Sequence, residues 1–182
     1  MDMWQFIAKF LCNRLFFAGV WSLPTNCNLQ KNLMKRTYTL LETAGGLFPM
    51  QCLDDRVSIP FPQNVFEYNE DQKVTGVEKA VYQTLQNIDA LFENFGDPDQ
   101  WDAEKLDDFR GIVYRQIKYS TCIQIMNKTE VAQDFPSREA SLKVYFETIS
   151  STLKEKNSSY CAWEIVRNEL LRILCDVIQP AV

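Results

Sequence analysis

The stretch VTGVEKAVYQTLQNIDALFENF, residues 74–95, decides the fold class. Val74, Val77, Val81, Leu85, Ile88, Leu91 and Phe95 recur at steps of three and four, which lines one face of a 3.6-residue helix. Toward the C-terminus a helix starts near Asp99 or Asp102 and carries Leu106, Phe109, Val113 and Ile117 towards Cys122, with Gly111 inside it. Another follows Pro136, with Ser137 as its N-cap, and turns Leu142, Tyr145, Phe146, Ile149 and Leu153 inward. The last begins near Tyr160 and ends before Pro180. Toward the N-terminus, 28–44 puts Leu29, Leu33, Leu40 and Ala44 on one stripe, and Gly45 and Gly46 stop it. No segment alternates with period two, so the chain reads as all-α with five helices.

Composition narrows the function. With 182 residues, 46% of them hydrophobic, the chain has enough apolar material for one domain with a real core. Its apolar runs stop well short of about 18 residues, which argues against a transmembrane helix. A formal charge of −5 with scattered basic residues argues against a nucleic-acid partner, whose binders concentrate Lys and Arg on one face. The chain has no histidine, which removes the usual general base, the commonest metal ligand and any Ser-His or Cys-His nucleophile. No catalytic residue, metal site or cofactor is expected, and the chain does not read as an enzyme.

The N-terminus, MDMWQFIAKFLCNRLFFAGVWSLPTNC, places Lys9 and Arg14 ahead of an apolar run at 15–21, followed by Ser22 and Pro24. This has the form of a secretory signal cleaved near Ser22, giving a leader at 1–22 and a helical domain at 23–182. The run of about seven residues is the lower limit for a signal core. The alternative is an amphipathic extension that keeps the protein inside the cell.

Connection lengths set the topology. About 28 residues, with Pro49, Pro60 and Pro62, separate the first two helices, far more than antiparallel neighbours need. A helix of about 17 residues is roughly 25 Å long, so this loop can return the chain and start the second helix parallel to the first. That is the long crossover loop of long-chain cytokine bundles. The remaining joins are short, which gives the order up, up, down, up, down.

The six cysteines, Cys12, Cys27, Cys52, Cys122, Cys161 and Cys175, contain no C-x-x-C pair, and without histidine they do not suggest zinc. In this topology Cys27 and Cys122 lie at the bottom, while Cys52 and Cys161 lie at the top. Cys27 can therefore bond Cys122, and Cys52 can bond Cys161. A Cys27–Cys161 link would span the bundle, whereas bonded Cα atoms lie within about 7 Å. The alternative is a cytosolic bundle with reduced thiols. Cys175 has no place in either pair. Two N-x-S/T sequons, at Asn127 and Asn157, fall in loops and are candidate glycosylation sites.

The segment YFETISSTLKEKNSSYCAWEIVRNELLRIL, 145–174, resembles the type I interferon signature. Tyr145, Phe146, Leu153, Cys161, Ala162 and Trp163 match it in kind and spacing, while Thr148 and Thr152 depart from it. CLDDRVSIPFPQNVF, 52–66, is similar to the family's loop after its first helix, and WDAEKLDDFRGIVYRQIKYSTCIQ, 101–124, to its third helix. The four matched cysteines resemble the four-cysteine subgroup, which includes mammalian alpha forms and one group of fish interferons, and the remainder is fish-like. The resemblance implies the same two disulfides and a secreted, monomeric antiviral cytokine. It would bind two class II cytokine receptor chains, trigger Janus-kinase and STAT signalling, and insert in no membrane once its leader is removed. An interleukin-10 relative or a growth-hormone type is the rival within helical cytokines, and the Cys-Ala-Trp segment counts against it.

At 100° per residue, Trp163, Val166, Leu170, Ile173, Leu174 and Val177 form the core stripe of the last helix. Glu164, Ile165, Asn168, Leu171, Arg172 and Cys175 then face outward. The resemblance places the higher-affinity receptor chain against the crossover loop and this helix, through Leu53, Arg56, Arg167, Asn168, Leu171 and Arg172. Arg56 is the first choice of anchor; the competing reading pairs it with Asp54 or Asp55. Leu171 has an alternative in packing under the loop. The second receptor chain would touch the second, third and fourth helices on the opposite side.

Overall fold

The computed structural model describes residues 31–67, 75–125 and 135–178. Its elements are α1 (Lys31–Gly45), a 3-10 turn (Met50–Cys52), α2 (Thr75–Phe95), α3 (Ala103–Tyr119), the single turn α4 (Cys122–Ile125), α5 (Phe135–Glu155) and α6 (Tyr160–Ile178). Five long helices carry the fold, and every described element is helical. The leader, Cys12, Cys27 and the Asn127 sequon lie outside the described residues.

Local chemistry sets the helix ends. α1 stops where Gly46 takes φ +69° and donates its N–H to the Glu42 carbonyl at 3.1 Å, the left-handed glycine cap that a side chain would resist. Of the two expected starts for α3, Asp102 is the cap: its carboxylate accepts from the Lys105 N–H at 3.1 Å. That bond, with the nearby Lys105 charge, holds the Asp102 carboxyl below its ordinary pKa. α3 was expected to run to Cys122, but it ends at Tyr119. There the Thr121 hydroxyl donates to the Lys118 carbonyl at 3.2 Å, a local bond that competes with helix continuation. α5 starts at Phe135, not after a Ser137 cap; Pro136 sits in the first turn, where its missing N–H costs nothing.

The chain order follows from contacts at one end of the bundle. The Asp102 N–H donates to the Ala44 carbonyl at 2.9 Å, so α3 starts where α1 ends. Cys161 at the head of α6 bonds Cys52, and Lys156, just after α5, reaches Asp55 at 2.7 Å. The order is therefore up, up, down, up, down. α1 packs on α3 and α6, α2 on α5 and α3, and α5 on α6. Beneath the shared end, Trp163 stacks on Phe92 with ring centroids 5.0 Å apart, and Trp101 meets Trp163 edge-on at 5.8 Å. Leu41, Leu85, Ile88, Ile149 and Leu170 continue this core.

α6 departs from the one-stripe expectation. Glu164 and Ile165, expected outside, are buried, as are Arg167 and Glu169. The reason is enclosure: α1 and α5 flank the helix, the 3-10 turn lies against it, and Trp101 covers its first turns. Thr152, which replaces the apolar or aromatic residue of the signature, is buried too; its hydroxyl donates to the Thr148 carbonyl at 3.0 Å, so the polar group is satisfied inside the core.

Candidate functional site

Over its described residues, 46–67, the crossover loop has little regular structure, yet it is fastened at several points. The Cys52–Cys161 bond, with Cα atoms 5.1 Å apart, ties the 3-10 turn to α6. The Asp55–Lys156 ion pair ties the next turn to the α5–α6 join. Farther on, Arg138 of α5 donates to three loop carbonyls, those of Asn64 at 3.1 Å, Val65, and Glu67 at 2.9 Å. Ile59, Pro62, Val65 and Phe66 are buried beneath. A loop held by a covalent bond, an ion pair and a guanidinium fork has little freedom left to lose on binding a partner.

Between these fastenings the segment 46–57 turns apolar side chains to solvent. Leu47 is 95% exposed and Met50 80%, with Leu53 and Val57 also exposed. Sequence reasoning missed Leu47 and Met50, although the apolar run LFPM directly after the glycine stop was a readable signal. Arg56 is exposed, and its guanidinium lies over the Phe48 ring at 5.0 Å. Its competing pairing with Asp54 or Asp55 does not form, and Asp55 is engaged by Lys156 instead. Stacking on an aromatic face leaves the guanidinium edge and its donors available.

α6 forms the other wall. Asn168 and Arg172 are exposed, and Leu171 is half-buried against the core. Arg172 lies 4.2 Å above the Phe61 ring and 3.8 Å from the Glu169 carboxylate. A groove of about 910 Å³ runs between loop and helix, lined among others by Tyr38, Leu47, Phe48, Asn168, Leu171 and Arg172. Three of the six expected contact residues, Asn168, Leu171 and Arg172, line this groove; Arg56 lies beside it on Phe48, and Leu53 is exposed on the same loop segment. Arg167 also borders the groove, but it is 3% exposed and its guanidinium points back to the buried Glu164. Sequence gave no sign of this, since an i,i+3 acid–base pair looks the same on a solvated face.

Where α5 packs on α6, the Tyr145 hydroxyl of α5 donates to the Glu169 carboxylate of α6 at 2.9 Å. Burial first, and then the Glu169 charge, hold the Tyr145 pKa above its ordinary value. Among the described residues no group of Cys, Asp and Glu could hold a metal ion, and no helix is long and apolar enough to cross a membrane. Cys122 is disulfide-bonded. Cys175 is an exposed free thiol on the rim of the groove. Asn157, in the left-handed region at φ 51°, is exposed in the α5–α6 join.

The family model for the interferon alpha/beta domain matches residues 27–179. The chain belongs to the interferon alpha/beta family. Human interferon omega-1 is 33% identical to it over 163 residues, covering 87% of this chain and 82% of the relative. Interferon alpha-1 of Equus caballus is 34% identical over 139 residues, 75% of each chain. Among solved structures, zebrafish interferon 2 is 44% identical with a TM-score of 0.79, covering 85% of this chain and all of that one. Zebrafish interferon 1, at 24% identity and a TM-score of 0.64 over 82% of this chain and 94% of that one, shares the fold. This interferon is thus a type I member of fish-like character, a cytokine and not an enzyme.

Proposed function

We propose that this interferon is secreted after loss of residues 1–22 and acts as an antiviral cytokine by bridging two class II cytokine receptor chains, which activates Janus kinases and STAT proteins. One observation carries this reading: a loop fastened to the bundle exposes Leu47, Met50, Leu53 and Arg56, and Leu47 lies across a groove from Leu171 and Arg172 of α6. Exposed apolar side chains beside arginines suit a protein interface, and a pre-formed loop lowers the entropic cost of binding. This face takes the higher-affinity receptor chain, with Asn168 on its helical wall. The second chain takes the surface of α2, α3 and α5. The molecule acts as a monomer without a cofactor, carries the Cys27–Cys122 bond in addition to Cys52–Cys161, and is glycosylated at Asn127 and Asn157.

The test is to express the full coding sequence, determine the N-terminus and non-reduced peptide map of the product in the medium, and apply it to receptor-bearing cells. Secretion with cleavage near Ser22 and STAT phosphorylation are expected. Retention inside the cell would favour the unprocessed form, and folded secreted protein without STAT phosphorylation would remove the signalling assignment.

A further inference from the structure

Arg167 is mapped by resemblance onto the receptor contact, yet every atom of its guanidinium is engaged inside the protein. Its Nε and Nη2 donate to Glu164 Oε2 at 3.2 and 2.7 Å. The other Glu164 oxygen accepts from the Trp101 indole N–H at 2.7 Å, and Glu164 has no solvent exposure at all. The third guanidinium nitrogen, Nη1, donates to the Glu42 carbonyl at 3.2 Å. That carbonyl, in the last turn of α1, also accepts the capping Gly46 N–H at 3.1 Å, so the guanidinium is its second donor. The neighbouring acceptors are also taken from outside the helix: Thr43 O by Lys105 Nζ at 3.4 Å and Ala44 O by the Asp102 N–H at 2.9 Å.

Gly45 closes this arrangement. A Cβ placed there would collide with the Arg167 side chain, lying 2.7 Å from Cδ and from Cζ. The arginine therefore lies flat across the point where the chain leaves α1. Two residues later come Leu47 and Phe48, and Phe48 carries the Arg56 guanidinium on its ring.

We infer that Arg167 is a positioning residue. Paired with Glu164 and laid over Gly45, it fixes the exit of α1, and with it the segment 46–57, in register with the α6 surface that bears Asn168, Leu171 and Arg172. It makes no receptor contact itself. The inference rests on the receptor-face reading above.

Three variants of the full-length secreted protein test it: Gly45→Ala, Arg167→Ala and their combination. Each is read by hydrogen exchange of peptides spanning 46–57 against those in α2 and α5, and by STAT phosphorylation potency on one responding cell line. Gly45→Ala removes no receptor-facing group and leaves Glu164 paired, so it decides the matter even if Arg167→Ala fails to fold. Faster exchange confined to 46–57 and about a tenfold loss of potency are expected for either single variant. The combination should be no worse than Arg167→Ala alone, because the atoms that the new methyl group would strike are gone. Arg56→Ala, as a contact control, should lower potency with loop exchange unchanged. Unchanged exchange and potency in Gly45→Ala, or a loss of potency in Arg167→Ala with loop exchange unchanged, would overturn the inference. If every variant, Arg56→Ala included, keeps full potency while Gly45→Ala still loosens the loop, the receptor-face reading fails and the structural hold of Arg167 stands.

Discussion

Two grooves flank this bundle, and they are built on different terms. The one between the crossover loop and α6 is walled by the exposed Leu47 and by Phe48, Leu171 and Arg172, with Arg56 stacked on Phe48 beside it, and behind it stand a disulfide, a buried ion pair and the Arg138 fork. The one between α2 and α5, about 980 Å³, is lined mainly by small and polar side chains such as Gln83, Asn87, Asn94, Glu139, Lys143 and Lys154. The difference teaches that volume alone does not mark a tight site. An anchor needs exposed apolar area on a backing that cannot relax, because ordering a loose segment consumes the energy of contact. The second groove has no large apolar side chain as exposed as Leu47, its Leu91 and Phe146 being buried, and suits a weaker contact spread over many groups.

Cutting the backing tests this contrast most severely. Replacing Cys52 and Cys161 together by Ser opens a link across 109 residues, and denaturant unfolding should show a loss of about 4 kcal/mol while α2–α5 packing is kept. Next, Glu164→Ala leaves Arg167 charged and unpaired in the interior, and should cost about 3 kcal/mol in the same measurement; removing Arg167 as well should recover part of that loss.

These two sites also show where sequence reading stopped. The helices were legible because their stripes repeat over several turns, and the placement of Cys52 and Cys161 at one end followed from the connection lengths. The Gly46 stop was legible because a left-handed cap leaves a glycine in the text. The burial of Glu164, Ile165 and Arg167 was not, because a helical wheel assumes one buried side and α6 is enclosed by α1, α5, the loop and Trp101. That enclosure is created by a tertiary crossing, and no local period records it. The exposure of Leu47 and Met50 escaped for the complementary reason: apolar residues in a loop read as material for the core.

A smaller effect is expected at Tyr145. Its hydrogen bond to the buried Glu169 should make Tyr145→Phe less stable by about 1.5 kcal/mol at neutral pH. The sign with pH follows from its raised pKa: the folded state keeps a proton that the unfolded chain gives up near pH 10, so stability falls as pH rises above that value. Thermal unfolding from pH 8 to 11 should show a shallower decline for the Phe variant. Smallest of all, Lys143→Ala in the α2–α5 groove, whose contact with Glu147 is long and exposed, should change stability by less than about 0.5 kcal/mol.

The central claim is that the fastened loop and α6 form the principal receptor face. The most direct test is the potency of Arg56→Ala against Lys143→Ala in STAT phosphorylation, on cells that respond to the unaltered protein. A loss of about tenfold or more is expected for Arg56→Ala, a hot-spot effect of at least about 1.4 kcal/mol, with unfolding unchanged, and a change below about threefold for Lys143→Ala. Equal potency of the two variants, or a larger loss at Lys143, would contradict it.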